Sequence, residues 1–183
     1  MVAKLPARCL SINPIETYEW LAGDEGFAYC PLGYGYTNYA RPGFRDRLLR
    51  FADIPVVGSG GPVGSCLGGA GLAISAATAH LDVALDYALW VAGGDCQKGL
   101  FFNAGGQPGH LDAWQDACCN EATSAFFQDT LATHEGAWVR PRHNGYMAFQ
   151  DSGCLLVNAH LRGELGRDAC IEQLNRGYAD SLR

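Results

Sequence analysis

Charge is what this chain has least of. Only 17% of its residues are charged while 48% are hydrophobic and 24 are glycine, the reverse of the balance that keeps a chain disordered, so a folded protein is expected. No apolar run approaches the ~18 residues that a membrane span needs. Met1 to Ile15 hold Lys4 and Arg8 but no sustained apolar stretch, so they do not read as a signal peptide. Thirteen basic residues against 19 acidic ones give a formal charge of -6. Nucleic-acid binding needs a basic face, so no nucleic-acid partner is expected. The one basic run, Arg41, Arg45, Arg47 and Arg50, reads as a solvated helix face at i, i+4 spacing.

Motifs of catalysis and metal binding are missing too. There is no C-x-x-C and no cysteine pair at zinc-like spacing beside a histidine pair, so neither a metal nor a cofactor is expected. Most of the eight cysteines read as small buried hydrophobes, and the adjacent Cys118 and Cys119 would point in different directions on a helix. Ser59, Ser65 or Cys66 in a glycine-rich setting, with His80, His110, His134, His143 or His160 as base, is the hydrolase reading. The strict G-x-S-x-G elbow is absent around Ser59 and around Ser65, so no catalytic residue is assigned and the chain is not expected to be an enzyme. The stretch from Gly58 to Gly64 also lacks the Gly-Lys-Ser/Thr ending of a phosphate loop.

What is present is a chain of 183 residues, enough for one domain with a core. Glu16 to Ala22 reads as a short helix, followed by glycine-broken turns that carry Tyr34, Tyr36 and Tyr39. Gly43 to Ala52 reads as a helix and Ile54-Pro55-Val56-Val57 as a short or edge strand. Small residues ahead of Leu72-Ala73-Ile74-Ser75 suggest a buried strand that another backbone or a ligand can approach closely. Thr78 is a plausible cap. After it Leu81, Ala84, Leu85, Ala88, Leu89 and Ala92 recur at helical spacing up to Gly93-Gly94. Helical segments follow at Leu111 to Ala117 and Ala122 to Thr133, then extended Trp138 to Arg142. His143 to Leu161 and Arg167 to Leu182 close the chain, the last with Ile171, Leu174, Tyr178 and Leu182 on one stripe. The fold class expected is helix-rich α/β with few strands.

The order of these segments resembles a known family. The run Leu67-Gly68-Gly69-Ala70-Gly71-Leu72-Ala73-Ile74-Ser75, the helix around Ala84 to Trp90, Gln97 after it, the Gly106-Gln107-Pro108 loop, Arg140-Pro141 and two closing helices are similar to family 1 extracellular solute-binding proteins. The resemblance covers about residues 34–183. It implies part of a two-lobed, class II periplasmic-binding-protein-like fold, a sugar held in the cleft, hinge closure, and ABC permease subunits as partners of a complete receptor. It also implies a periplasmic or extracellular, membrane-associated location. The whole chain, 1–183, would be a single region from the later part of such a receptor, its first lobe and signal lying before Met1.

A sugar presents hydroxyl rims and apolar C–H faces, so its site needs flat aromatics and planar hydrogen-bonding groups. Tyr34, Tyr36, Tyr39, Trp138, Tyr146, Arg140, Arg142, Asn144 and Gln107 supply that set, and the Gly68 to Gly71 segment, with Gly69, Ala70 and Gly71 at its centre, would offer backbone donors. A carbohydrate or polyol is the expected ligand. The alternative is an orphaned lobe acting as an oligomeric interaction protein, for which a homodimer covering the surface around Leu67 to Ser75 is expected.

Overall fold

The computed structural model describes residues 6–24, 26–56 and 58–183, and it is built from helices. About 51% of the chain is helical and 1% is strand. This overturns the expected α/β class and the class II periplasmic-binding fold. Among the described residues the only β pairing is an isolated parallel bridge between Cys66 and Trp138. No helix among them is long and apolar enough to cross a membrane. The chain forms two compact units: Pro14–Trp138, and residues 6–13 with 139–183.

The larger unit holds α1 (Pro14–Ala22), α2 (Leu81–Ala92), α3 (Gly94–Cys96, running into a π turn at Gln97–Phe101), α4 (Leu111–Trp114), α5 (Ala117–Ala122) and α6 (Phe126–Glu135). Its core is aromatic. Phe102, Trp114, Phe126 and Phe127 are buried with Ala40, Ala113 and Cys119, and Phe51 links them to a second cluster of Tyr18, Ala22 and Tyr39. Ring contacts run unbroken through it: Tyr18 to Phe51 at 5.4 Å, Phe51 to Phe126 at 4.9 Å and Phe127 to Trp114 at 5.3 Å, all tilted or edge-on as ring quadrupoles prefer.

Asn120 joins α5 to α6. Its amide nitrogen donates to the carbonyls of Trp114 at 2.8 Å and Asp116 at 3.0 Å, and its amide oxygen accepts from the backbone of Gln128 at 2.8 Å. The last bond caps the first turn of α6, because Ala125 at the N-cap position has no side chain to do so. Between the helices Ser124 and Ala125 both take left-handed backbone, φ 51° and 64°, which L-residues resist. The bond from Ala125 N to Asn120 O at 2.8 Å and that from Thr123 Oγ1 to Cys119 O, also 2.8 Å, hold them there.

Several expected elements come out differently. Leu72 to Ser75 is neither strand nor buried: Leu72 is 57% exposed, since a glycine- and alanine-rich stretch has little to pack and no ladder to join. Gly43 to Ala52 is a loop. Gly43 has φ +84°, and Leu49 N donates to Tyr39 O at 3.0 Å, closing the loop where a helix would carry the chain away. The arginine run therefore is no helix face: Arg45 pairs with Glu19 at 2.6 Å, Arg47 with Asp24 at 3.2 Å, and Arg41 lies 4.1 Å from the centre of the Phe102 ring. Ile54 N bonds the Thr133 hydroxyl of α6 at 2.9 Å in place of a neighbouring strand, while Val57 lies outside the described residues. Thr78 does not cap α2. His80 holds that position, and the Thr78 hydroxyl accepts from its N–H at 3.2 Å in a turn before the helix. The segment Leu111 to Ala117 breaks at Gln115–Asp116 between α4 and α5, and the segment Ala122 to Thr133 breaks at the left-handed Ser124–Ala125 turn between α5 and α6.

Of the cysteines, Cys96, Cys119 and Cys170 are buried, fewer than expected, and Cys118 and Cys154 are exposed; all eight are free thiols. Cys118 and Cys119 do face opposite ways. Burial, reinforced by the neighbouring Asp116, pushes the Cys119 thiol up to about 11.

The smaller unit is a pair of helices, α7 (Tyr146–Leu161) and α8 (Arg167–Ser181). Phe149 sits between Gly153 of its own helix and Gly177 of α8, and 5.4 Å from Tyr178. The inward stripe of α8 is therefore Cys170, Leu174 and Gly177, while Ile171 and Leu182, placed on the stripe by periodicity, are 50% and 60% exposed. Asn158 of α7 donates to Leu10 O at 2.8 Å, fastening the short 3-10 turn Ala7–Leu10.

Asn120→Ala should lower stability by about 2 to 3 kcal/mol in urea unfolding, since it strands buried backbone groups at both helix ends and frees the left-handed turn. A loss below about 0.5 kcal/mol would show that this junction is not a constraint.

Candidate functional site

The residues named for ligand binding divide between the units. In the larger one, the segment Tyr34–Thr37 is held from two sides. Tyr18, buried on α1, donates from its hydroxyl to Tyr34 O at 2.6 Å. The Gln107 amide accepts from Thr37 N at 2.9 Å and donates to Gly35 O at 3.2 Å. Gly35 lies against the Phe126 ring so closely that a Cβ would stand 2.8 Å from it.

Thus held, the Tyr34 ring reaches Gly68, where a Cβ would come within 2.8 Å of the ring; only glycine permits that approach. The residues immediately before Gly68 are held as well. Trp138 N donates to Ser65 O at 2.8 Å and Leu67 N to Trp138 O at 2.9 Å. Ser65 Oγ donates to Thr133 O at 3.2 Å, and Thr133 in turn bonds Asp53 at 2.6 Å.

Beyond these holds the chain runs on through Gly68-Gly69-Ala70-Gly71, exposed throughout. The Cβ positions of Gly69 and Gly71 meet nothing within 4 Å. Among the described residues, no backbone N–H from Gly68 to Ile74 donates to a protein acceptor. Tyr34, Tyr36 and Trp138 remain 45%, 38% and 51% exposed. The arrangement is an exposed strip of unspent backbone donors that begins beneath the Tyr34 ring.

Two other named residues serve the framework. Tyr39 is 4% exposed and donates to Glu19 at 2.7 Å; burial and the carboxylate push its hydroxyl up to about 12. Gln107 commits its amide to the backbone, as does Gln97, which accepts from Gly109 N at 2.9 Å and donates to Val91 O at 2.7 Å. Tyr18, which positions Tyr34, escaped the sequence reading. Its only signal there was a place on the apolar side of α1.

Arg140, Arg142, Asn144 and Tyr146 belong to the smaller unit. Arg140 donates to Gln150 at 3.2 Å, Tyr146 is buried against His143 and Phe149, and Arg142 and Asn144 are exposed. An open groove of about 340 Å³ along α7 is lined by Phe149, Cys154, Val157 and Leu174 among others. Its polar residues are already engaged, Gln150 with Arg140 and Asn158 with Leu10 O and Arg162. Pockets that fix small molecules need convergent free polar groups.

Among the described residues, none of Ser59, Ser65 and Cys66 is hydrogen-bonded to a histidine. Ser65 bonds a carbonyl, and Cys66 Sγ lies 3.8 Å from Leu67 O. His143 Nε2 does stand 3.0 Å from Ser181 Oγ. That serine, however, donates its single proton to Tyr178 O at 2.7 Å, so towards the imidazole it is an acceptor, opposite to the polarity of an activated nucleophile. Among the described residues no group of three or more His, Cys, Asp or Glu is placed to hold a metal ion.

No family model, no curated protein and no solved structure matches this chain.

A fluorophosphonate should leave Ser181 unlabelled, as read by intact-mass spectrometry. One adduct per chain, abolished by Ser181→Ala, would contradict the assignment of this pair to structure.

Proposed function

We propose that the chain binds a carbohydrate or polyol, as the solute-binding component of an ABC-type import system working outside the cytoplasmic membrane with permease subunits. The observation that carries the reading is the strip Gly68 to Gly71, which starts under the exposed Tyr34 ring, follows the residues paired with Trp138, and runs exposed with its N–H groups unspent. Sugars are unusual among solutes in needing both features at once. Their C–H faces lie on aromatic rings, and their hydroxyls take hydrogen bonds that water otherwise supplies. Glycines at the strip keep side chains from standing between the ligand and the backbone. The aromatic residues nearest its start are Tyr34, at Gly68, and Trp138, paired with residues 65 and 67, and the donors are those of Gly69, Ala70 and Gly71.

The surface does not bury a ligand to the 70 to 90% typical of tight small-molecule sites, so the affinity of this surface is weak, in the range of about 0.1 to 1 mM. The acidic balance of the chain suits a neutral ligand, which brings no charge to be repelled or desolvated.

Titration with a panel of sugars and polyols, followed by tryptophan fluorescence and calorimetry, tests the proposal. At least one should bind with a fluorescence change that Trp138→Ala removes, and that variant should weaken binding roughly tenfold. A panel with no heat and no spectral change, or binding indifferent to both Trp138→Ala and Tyr34→Ala, would overturn it.

A further inference from the structure

We propose that the stretch Gly69 to Ala77 is a processing site, where an endopeptidase whose specificity pocket takes small apolar side chains cuts the chain once and the two pieces remain one folded body. The inference is independent of the ligand reading. A protease must draw several residues of extended backbone into its cleft, so cleavage falls where the chain is exposed and free of tertiary hydrogen bonds. Residues 69–77 are exposed apart from the half-buried Ile74. Among the described residues, the hydrogen bonds of residues 68–79 stay within residues 68–80. Ser75 O accepts from Thr78 N at 3.1 Å, and the Ser75 and Thr78 hydroxyls accept from Ala77 N and His80 N at 3.2 Å each.

The loop just before this run differs from it. Gly58, Gly61 and Gly64 take left-handed backbone, φ 78°, 76° and 104°, as turns require. Ser65 and Leu67 are then bonded to Thr133 and Trp138. From Gly68 to His80 no residue is left-handed, so this run straightens into a cleft without undoing a turn.

Composition fixes the kind of protease. From Ile54 to Leu81 there is no Asp, Glu, Lys or Arg, and from Ala52 to Asp86 no Phe, Trp or Tyr. Enzymes that select a charged or an aromatic side chain find none there. Ala70, Ala73, Ala76 and Ala77 offer the small one that an elastase-type pocket admits. The step is a hydrolysis. The oxygen of water bonds the peptide carbonyl carbon, the C–N bond breaks and the nitrogen takes the proton, leaving a carboxylate and an ammonium group as the new ends.

The pieces stay together because the chain before the cut is fastened to the chain after it. Gln107 holds Gly35 O and Thr37 N, Thr133 bonds Asp53 at 2.6 Å, and Phe51 packs edge-on against the buried Phe126 at 4.9 Å. None of these contacts passes through residues 69–77, so the packed core that they form does not depend on that link.

Brief digestion of the whole chain with an elastase, read by denaturing and native mass spectrometry, tests the proposal. The first cut between Pro14 and Trp138 should fall within residues 69–77. The two fragments should sum to the mass of the chain plus one water, and they should stay associated in the native spectrum. Ala73→Lys separates exposure from pocket preference: trypsin should cut after residue 73 at least about tenfold faster than at any native site between Pro14 and Trp138. Failure of the elastase to cut first within 69–77 sinks the proposal, as does Ala73→Lys being cut no faster there than elsewhere. Fragments that part on cleavage would contradict it equally. Should Ala73→Lys not fold, the elastase digest of the unaltered chain decides alone.

Discussion

Everything in the larger unit rests on side-chain amides doing for the backbone what a sheet would otherwise do. Irregular chain cannot be buried unless its N–H and C=O groups find partners. With no sheet among the described residues, Gln107 ties down Gly35 and Thr37, Gln97 ties Val91 to Gly109, and Asn120 ties α5 to α6. Each spans elements distant along the chain or joins two helix ends. Each also has donor and acceptor in one planar group, so it satisfies an N–H and a C=O together. The aromatic core packs because those anchors fix where the loops enter it.

From that constraint the surface follows. Gln107 and the Tyr18 hydroxyl hold the backbone of residues 34–37, and Gly35 lets it settle on the Phe126 ring. Tyr34 then projects onto Gly68, and the residues just before it are held by the backbone of Trp138. Beyond the two holds, and among the described residues, Gly69 to Gly71 make no backbone hydrogen bond within the protein. The apolar excess of α2 is a separate consequence of the same economy: the helix is anchored through its small residues and leaves its large ones in water.

Periodicity made the helices legible. Leu81–Ala92 begins and ends where its repeat and the following glycines place it, and α1, α7 and α8 start or stop within a few residues of the expected bounds. The strands were not legible, because a short apolar run does not reveal whether a neighbouring strand exists to pair with it. Leu72 to Ser75 and Ile54 to Val56 have none. Tyr34, Tyr36, Trp138 and the glycine strip stood out in the sequence as aromatics and a small-residue run, but that these rings stay exposed is a fact of the folded chain. Tyr39 and Gln107 were not separable from them, since burial of one hydroxyl and the engagement of one amide are tertiary facts. Tyr18 was hidden for the same reason.

The contact on which the account depends most is that between the Tyr34 ring and Gly68. It can be observed directly by nuclear Overhauser effects on labelled protein. Strong cross-peaks between the Tyr34 ring protons and the Gly68 α-protons are expected, with the latter shifted by the ring current, and both should weaken in Gln107→Ala as residues 34–37 loosen. Absence of those cross-peaks in the unaltered chain would contradict the surface described here and the ligand reading that rests on it.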